Sequence, residues 1–335
     1  MTSVAKGDVL VVRGLNTVLC QGKSRLPLVR GVDFDLRAGR TTVLLGESGS
    51  GKSISARSLL RLTPRSMRVS GSVVLDGTDL LDLPERRLPR YRGSRVGMIP
   101  QDPSVALDPF RKVGRQILEV LRVHEMVASR AEGRQRTLEL LSQVGIPDPV
   151  RVSKSWPHEL SGGMKQRVAI AIGISCRPAV LIADEPTTAL DVTVQAQILR
   201  LIKSLQDELG TALLFITHDV GVAREIADDV AVMYAGVIVE HGPAAQVLNN
   251  PTHPYTAALL AALPGRGRKR GELLPIPGQP PSPADATLTG CRFAPRCTRV
   301  RPECSAHEPK LLQIGADSGH AAACVEVSDR VKVPA

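Results

Sequence analysis

The clearest chemistry in this chain of 335 residues lies in three short stretches. Gly46-Glu47-Ser48-Gly49-Ser50-Gly51-Lys52-Ser53 fits G-x-x-x-x-G-K-[ST], between a strand-like run at 41–45 and a helix-like run at 52–62. Glycines tolerate the tight turn, so backbone amides can point inward around phosphate oxygens, and the helix N-terminus adds partial positive charge. Lys52 is then placed for β- and γ-phosphates and Ser53 for Mg²⁺. In the second stretch, the aliphatic run Val180-Leu181-Ile182-Ala183 ends in Asp184-Glu185. A buried strand ending in a carboxylate is where such a protein holds its Mg²⁺, which assigns Asp184 to the metal. Glu185, one residue on, can address the attacking water as general base or polariser. The third stretch is Leu160-Ser161-Gly162-Gly163-Met164, where Ser161 caps a helix whose first turn is glycine and so offers backbone N–H groups to an anion.

The rest of the chain supplies elements that hold these groups. Strand candidates fall at 9–12, 41–45, 72–75, 96–99, 180–183, 212–216 and 230–233, and residues 32, 34 and 36 are apolar in alternation with Asp33 and Asp35. Several are continuous apolar runs, the pattern of parallel strands covered on both faces by helices. Between about 113 and 175 the pattern turns helical, with a break at Gly145-Ile146-Pro147. A helix over 191–209 carries Ile198, Leu201, Ile202, Leu205 and Leu209 on one stripe, and Gly210 is a natural stop. After Pro264 the composition shifts to RGRKR at 266–270 and LPIPGQPPSP at 274–283, which is linker-like.

Composition limits the function classes. Hydrophobic residues at 43% and charged residues at 23% exclude disordered and collagen-like chains, while 2% aromatics leave the core to aliphatic side chains. The formal charge of +10 favours anionic partners without choosing among nucleotides, nucleic acid and acidic membranes. Apolar runs such as 168–174 and 179–183 fall short of the ~18 to 20 residues that span a bilayer, and the first residues lack a signal-peptide pattern. A reducing, cytosolic setting is the default. Four of the six cysteines, Cys291, Cys297, Cys304 and Cys324, form C-x5-C-x6-C-x19-C. That spacing lacks the tight knuckles of structural zinc and suits a four-thiolate iron–sulfur cluster better. Zinc, or unligated or disulfide-bonded cysteines, stay as alternatives. Cys20 and Cys176 read as small buried apolar residues.

Leu160-Ser161-Gly162-Gly163-Met164, set between the phosphate loop and the Asp184 strand, resembles the LSGGQ signature of ATP-binding cassette (ABC) ATPases, with Met in the last position. The resemblance covers about residues 8–263. It implies that Gln101 is the Q-loop glutamine linking Mg²⁺ and water to the coupling surface, that Ala189-Leu190-Asp191 is the D-loop, and that His218 is the switch histidine at the γ-phosphate. It also implies that residues 46–53, Ser161, Gly162, Gly163 and Asp191 bind nucleotide, that Ser53, Gln101 and Asp184 serve Mg²⁺, and that a second cassette is needed. One departure is that Val18-Leu19-Cys20 offers no aromatic residue to stack on adenine.

Asn250-Pro251-Thr252-His253-Pro254-Tyr255-Thr256, with Leu259, Leu260, Leu263 and Pro264, is similar to a stretch of the oligopeptide/dipeptide importer ATPases, a group that also serves nickel uptake. That subfamily carries a cysteine-bearing tail. The expected architecture is therefore α/β: an ABC-type P-loop NTPase over 1–263 with an antiparallel β subdomain and a helical subdomain at about 102–176. A Pro-rich linker at 264–290 and a small irregular Cys-rich segment at 291–335 follow. The expected function is ATP hydrolysis that powers import of di- or oligopeptides, with nickel import as the alternative. A soluble ABC protein acting on nucleic acid or ribosomes is the rival from another class. Expected cofactors are ATP, Mg²⁺ and a 4Fe–4S cluster, or zinc in its place. Expected partners are a second ATPase subunit, two transmembrane permease subunits and an extracytoplasmic solute-binding protein, with no nucleic acid. This sets the chain at the cytoplasmic face of the membrane as a peripheral subunit, with residues 266–270 near anionic headgroups or partner subunits, or simply solvated.

Overall fold

The computed structural model describes residues 7–188, 190–262, 276–283, 289–315 and 319–327. Leu263, Pro264, the basic run 266–270 and Ala189 of the expected D-loop lie outside the described residues.

In chain order the elements are β1 (Asp8–Gln21), β2 (Ser24–Arg37), β3 (Thr41–Leu45), α1 (Lys52–Leu59), β4 (Met67–Leu75), β5 (Thr78–Asp79) and β6 (Val96–Ile99). Then come α2 (Pro103–Ala106), α3 (Val113–Val123), α4 (Arg130–Gln143), α5 (Pro149–Lys154), α6 (Gly162–Ile174), β7 (Val180–Asp184), α7 (Val192–Leu209) and β8 (Ala212–Thr217). The last are α8 (Val220–Ile226), β9 (Asp229–Tyr234), β10 (Val237–Pro243), α9 (Ala244–Asn249), α10 (Pro254–Ala261), β11 (Leu312–Gln313) and β12 (Ala321–Ala322). Two compact units divide them. The first holds Met1–Leu10, Leu36–Arg40 and Asp82–Ile216, and the second Val11–Asp35, Thr41–Leu81 and Thr217–Ala335.

In the first unit β6, β7 and β8 run parallel, with Ile99 opposite Ala183 and Asp184 opposite Ile216. All five residues of β7 are buried, as the continuous apolar run requires of a strand covered on both faces. The helical stretch contains α3 to α6, packed on one another, and α3 buries Val113, Ile117 and Leu121 at helical spacing. In α7, Ile198, Leu199, Ile202 and Leu205 are buried, and Gly210 closes the helix at φ 66°, donating its N–H to Gln206 O. A left-handed residue at that position costs glycine little.

In the second unit β3 runs parallel to β9, β9 antiparallel to β10, and β10 antiparallel to β12, which in turn pairs with β11. The other strands order β2-β1-β4-β5. β1 runs well past the short 9–12 candidate, since it lies between β2 and β4 in the sheet, and at its end Cys20 N–H donates to Ser66 O at 2.7 Å. A separate C-terminal domain is not confirmed. Residues 321–322 add a strand to β10, and Ala323 N–H donates to Val239 O at 2.8 Å. Few aromatics exist, yet Tyr234, Tyr255 and Phe293 gather here with ring centroids 4.6 to 5.4 Å apart.

Candidate nucleotide site

The phosphate loop leaves the fully buried β3 and enters α1. Gly46 has φ 159° and a side chain there would strike Met233 O, while Gly51 at φ 105° approaches Leu28 O and the Met233 methyl. The loop therefore needs glycine at 51 for its left-handed conformation and at both positions for closeness. Lys52 is 4% exposed, and its ammonium donates to Gly46 O at 2.8 Å and Glu47 O at 2.9 Å. Ser50 is buried with no hydrogen-bond partner at Oγ among the described residues, and its carbonyl receives the Gly236 N–H at 2.9 Å. Residues 46–53 thus form a tight cradle with a buried cation, the arrangement that takes phosphate oxygens.

Two groups far along the chain hold Glu47 in this loop. Its backbone N–H donates to Tyr255 Oη at 2.9 Å. Its carboxylate accepts from both terminal nitrogens of Arg296, at 2.8 and 3.1 Å, a fork-to-fork pair with charge on both sides. That ion pair, with the hydrogen bond from Arg296 to Tyr234, raises the arginine's already high pKa. Burial raises the pKa of both phenols, Tyr255 and Tyr234.

The stretch at 250–256 explains Tyr255's position. Glu240 on β10 is fully buried and accepts the N–H groups of Thr252 at 2.7 Å and His253 at 3.0 Å, and it meets His320 Nε2 at 2.8 Å. His253 Nδ1 accepts the Tyr255 N–H at 3.1 Å and so caps α10, with Pro254 at its first position. Burial lowers the His253 pKa to about 4 despite the opposing field of Glu240. His218 directly follows β8 and is exposed, and Asp219 beside it caps α8, accepting Gly221 N–H at 2.7 Å.

In the first unit Asp184 ends β7 fully buried. Glu185 follows with φ 46°, an uncommon value for a residue with a side chain, and donates its N–H to Ile216 O at 3.1 Å. Its carboxylate accepts from Thr188 Oγ1 at 3.0 Å and, at a long 3.4 Å, from Gln101 Nε2. The sequence points to Gln101 and Glu185 but not to Thr188. Ser161 caps α6 by accepting Met164 N–H at 3.3 Å, and Ser161 and Gly162 are exposed. Asp191 caps α7 by accepting Val194 N–H at 2.9 Å.

Cys291, Cys297, Cys304 and Cys324 line one small cavity as thiols. Four soft donors on one cavity suit a thiolate-bound cluster or zinc by chemistry. Their positions in space do not. Among the described residues no three His, Cys, Asp or Glu side chains are grouped to hold a metal ion. Burial pushes the free Cys291 thiol up to about 11 and raises those of Cys297 and Cys324. The expected 4Fe–4S cluster, and zinc with it, is therefore not supported. Cys176 is buried as expected, but Cys20 is partly exposed.

A phosphate cradle after a parallel strand, an acid pair closing another, and a glycine-started helix define an ABC-type ATPase cassette. Known proteins place the chain more closely. The family described as "ABC transporter" matches residues 29–188, and "Oligopeptide/dipeptide transporter, C-terminal region" matches 239–304. The probable peptide ABC transporter ATP-binding protein y4tR of Sinorhizobium fredii is 48% identical over 97% of both chains. The oligopeptide transport ATP-binding protein AppD of Bacillus subtilis is 45% identical over 91% of this chain and 93% of its own. Among solved structures, the dimeric post-hydrolysis cassette MJ0796 bound to ADP and Pi matches with a TM-score of 0.63 and 27% identity, over 70% of this chain and 98% of that one. The chain belongs to the ABC ATPases, in the family of peptide-transporter ATP-binding proteins. Among the described residues no helix is long and apolar enough to cross a membrane.

Proposed function

We propose that this chain hydrolyses ATP to drive import of di- or oligopeptides, as the peripheral ATPase subunit at the cytoplasmic face of a membrane transporter. The observation that carries the reading is similarity over nearly the whole chain to proteins named for peptide transport, with the C-terminal region included. These relatives favour peptide over nickel.

The assigned roles follow from the chemistry of each group. Lys52 and the amides of residues 46–53 take the β- and γ-phosphates, and Ser53, Gln101 and Asp184 would hold Mg²⁺, which when bound would neutralise charge on the phosphates. Glu185, steadied by Thr188 and Gln101, orients the attacking water, and His218 contacts the γ-phosphate. Ser161, Gly162, Gly163 and Asp191 serve the nucleotide of a second cassette, a copy or a paralogue, and exposure of Ser161 and Gly162 supports that role. ATP binding closes the dimer and hydrolysis reopens it. Two permease subunits receive that motion near Gln101, where Val105 and Phe110 are 84% and 85% exposed. An extracytoplasmic solute-binding protein delivers the peptide.

The cysteine quartet is the finer part of the proposal. It would take a 4Fe–4S cluster, or zinc, only with a rearrangement that brings more thiols within reach of one ion. Stoichiometric iron and sulfide after anaerobic purification would support it, and metal-free protein would remove it. For the main reading, the chain is reconstituted with its co-purifying membrane subunits in vesicles. ATP-dependent peptide uptake is expected. Uptake of nickel in its place, or ATPase activity stimulated by nucleic acid with a steep salt slope, overturns it.

A further inference from the structure

We infer that Arg296 is a positioning residue for the phosphate-binding loop, acting through Glu47, so that the C-terminal segment sets how tightly residues 46–53 hold MgATP. The inference rests on the reading of that loop as the phosphate cradle.

Glu47 is the one acid in the loop sequence GESGSGKS. A carboxylate on a loop that receives a triphosphate repels it unless a cation compensates. Arg296 supplies that cation in a fixed geometry. It is 6% exposed and makes both parallel bonds to Glu47, at 2.8 and 3.1 Å. Its other contacts fix it between the C-terminal segment and β9: Nε donates to Pro277 O at 2.7 Å, Nη1 donates to Tyr234 Oη at 3.3 Å, and the guanidinium carbon lies 5.7 Å from the centre of the Tyr234 ring. A planar fork held on several sides costs little further entropy when it grips a carboxylate.

The grip reaches the lysine in two bonds. Tyr255 Oη fixes the Glu47 amide, and Arg296 fixes its carboxylate. The Glu47 carbonyl between them accepts from the Lys52 ammonium. Phe293, three residues before Arg296, packs edge-on against Tyr234 and Tyr255 and holds the two anchors together. Arg296 therefore acts on nucleotide through Glu47 and Lys52.

The test measures MgATP affinity and steady-state ATPase in the full chain for Arg296→Gln, Arg296→Lys, Glu47→Gln, the double variant Glu47→Gln/Arg296→Gln, and Lys52→Ala. Losing Arg296 leaves a carboxylate unpaired, so Arg296→Gln is expected to weaken MgATP binding roughly tenfold, with the defect shrinking at high salt. Arg296→Lys keeps the charge without the fork and should fall between. The double variant removes the unpaired carboxylate and should recover most of the loss. A role in folding alone predicts no such recovery. Wild-type affinity in Arg296→Gln, or a double variant no better than the single one, overturns the inference. If Arg296→Gln does not fold, Arg296→Lys and the double variant decide by the same criteria. Unchanged MgATP binding in Lys52→Ala would instead sink the reading of the loop itself.

Discussion

The phosphate loop and the start of α6 both offer backbone N–H groups to an anion, yet they are built in opposite ways. In the loop Lys52 is buried and Glu47 is held at both its amide and its carboxylate by residues more than 200 positions later. At α6 the cap is local: Ser161 accepts from Met164 within its own turn, and Ser161 and Gly162 stay exposed. The loop reads as a finished half-site and the helix start as a surface for something outside the chain. Under the proposed function, one chain supplies two different halves, each completed by another copy or a paralogue.

The largest effect expected concerns Glu185, the carboxylate proposed to orient the attacking water. Glu185→Gln keeps the size of the side chain and removes the charge, so ATP turnover should fall by about 10² to 10³. Phosphate release measures the rate, and light scattering should show an ATP-dependent dimer that persists in the variant. A lone, undimerised chain that hydrolyses ATP at full rate would break the contrast between finished and unfinished halves.

Next is the buried histidine that supports the braced half. Its pKa is about 4 in the folded chain against an ordinary 6.5. Between those values the unfolded chain binds a proton here that the folded chain does not, so stability is full above about pH 6.5 and falls as pH drops towards 4. The loss from this site over that window is on the order of 3 kcal/mol. His241, whose pKa burial also lowers, adds in the same direction. His253→Asn retains a capping side chain and should flatten the dependence in urea melts taken from about pH 7 to about pH 4.5. An unchanged slope would show that other groups carry it.

What the sequence discloses follows the same contrast. The loop 46–53, the strand ending at Asp184 and the cap at Ser161 are local patterns, so residue types and spacing suffice to find them. Tyr255 and Arg296 are invisible to that method, because their partner Glu47 lies 208 and 249 residues away. One signal is present: an acid inside a phosphate loop demands a compensating cation somewhere in the chain. The 250–256 stretch is legible as a helix start and not as a brace, since the Glu240 carboxylate that orders it sits on a separate strand. Cysteine spacing shows proximity, and the four thiols do share a cavity, but spacing alone carries no information on donor distances.

At the open half, Ser161→Ala removes one cap and a hydroxyl proposed to contact the partner's nucleotide. ATPase of the assembled dimer should drop roughly tenfold, while loss of the cap separately lowers stability by about 1 kcal/mol. Monomer affinity for MgATP should fall less than in Lys52→Ala, which strikes the braced half. Equal losses of monomer affinity in the two variants would mean that both halves serve one chain's own nucleotide.

The smallest effect separates two duties of a single residue. Asp191 caps α7 through Val194 N–H at 2.9 Å, and in the proposed dimer its carboxylate also serves the partner's nucleotide. Asp191→Ala loses both, at a cost of about 1 kcal/mol in stability. Asp191→Ser keeps a capping oxygen and loses the charge, so its urea midpoint should match the wild type while dimer ATPase declines. If activity and stability instead fall together in Asp191→Ala and are both restored by serine, the residue is a cap alone, and the open half consists of the α6 start without it.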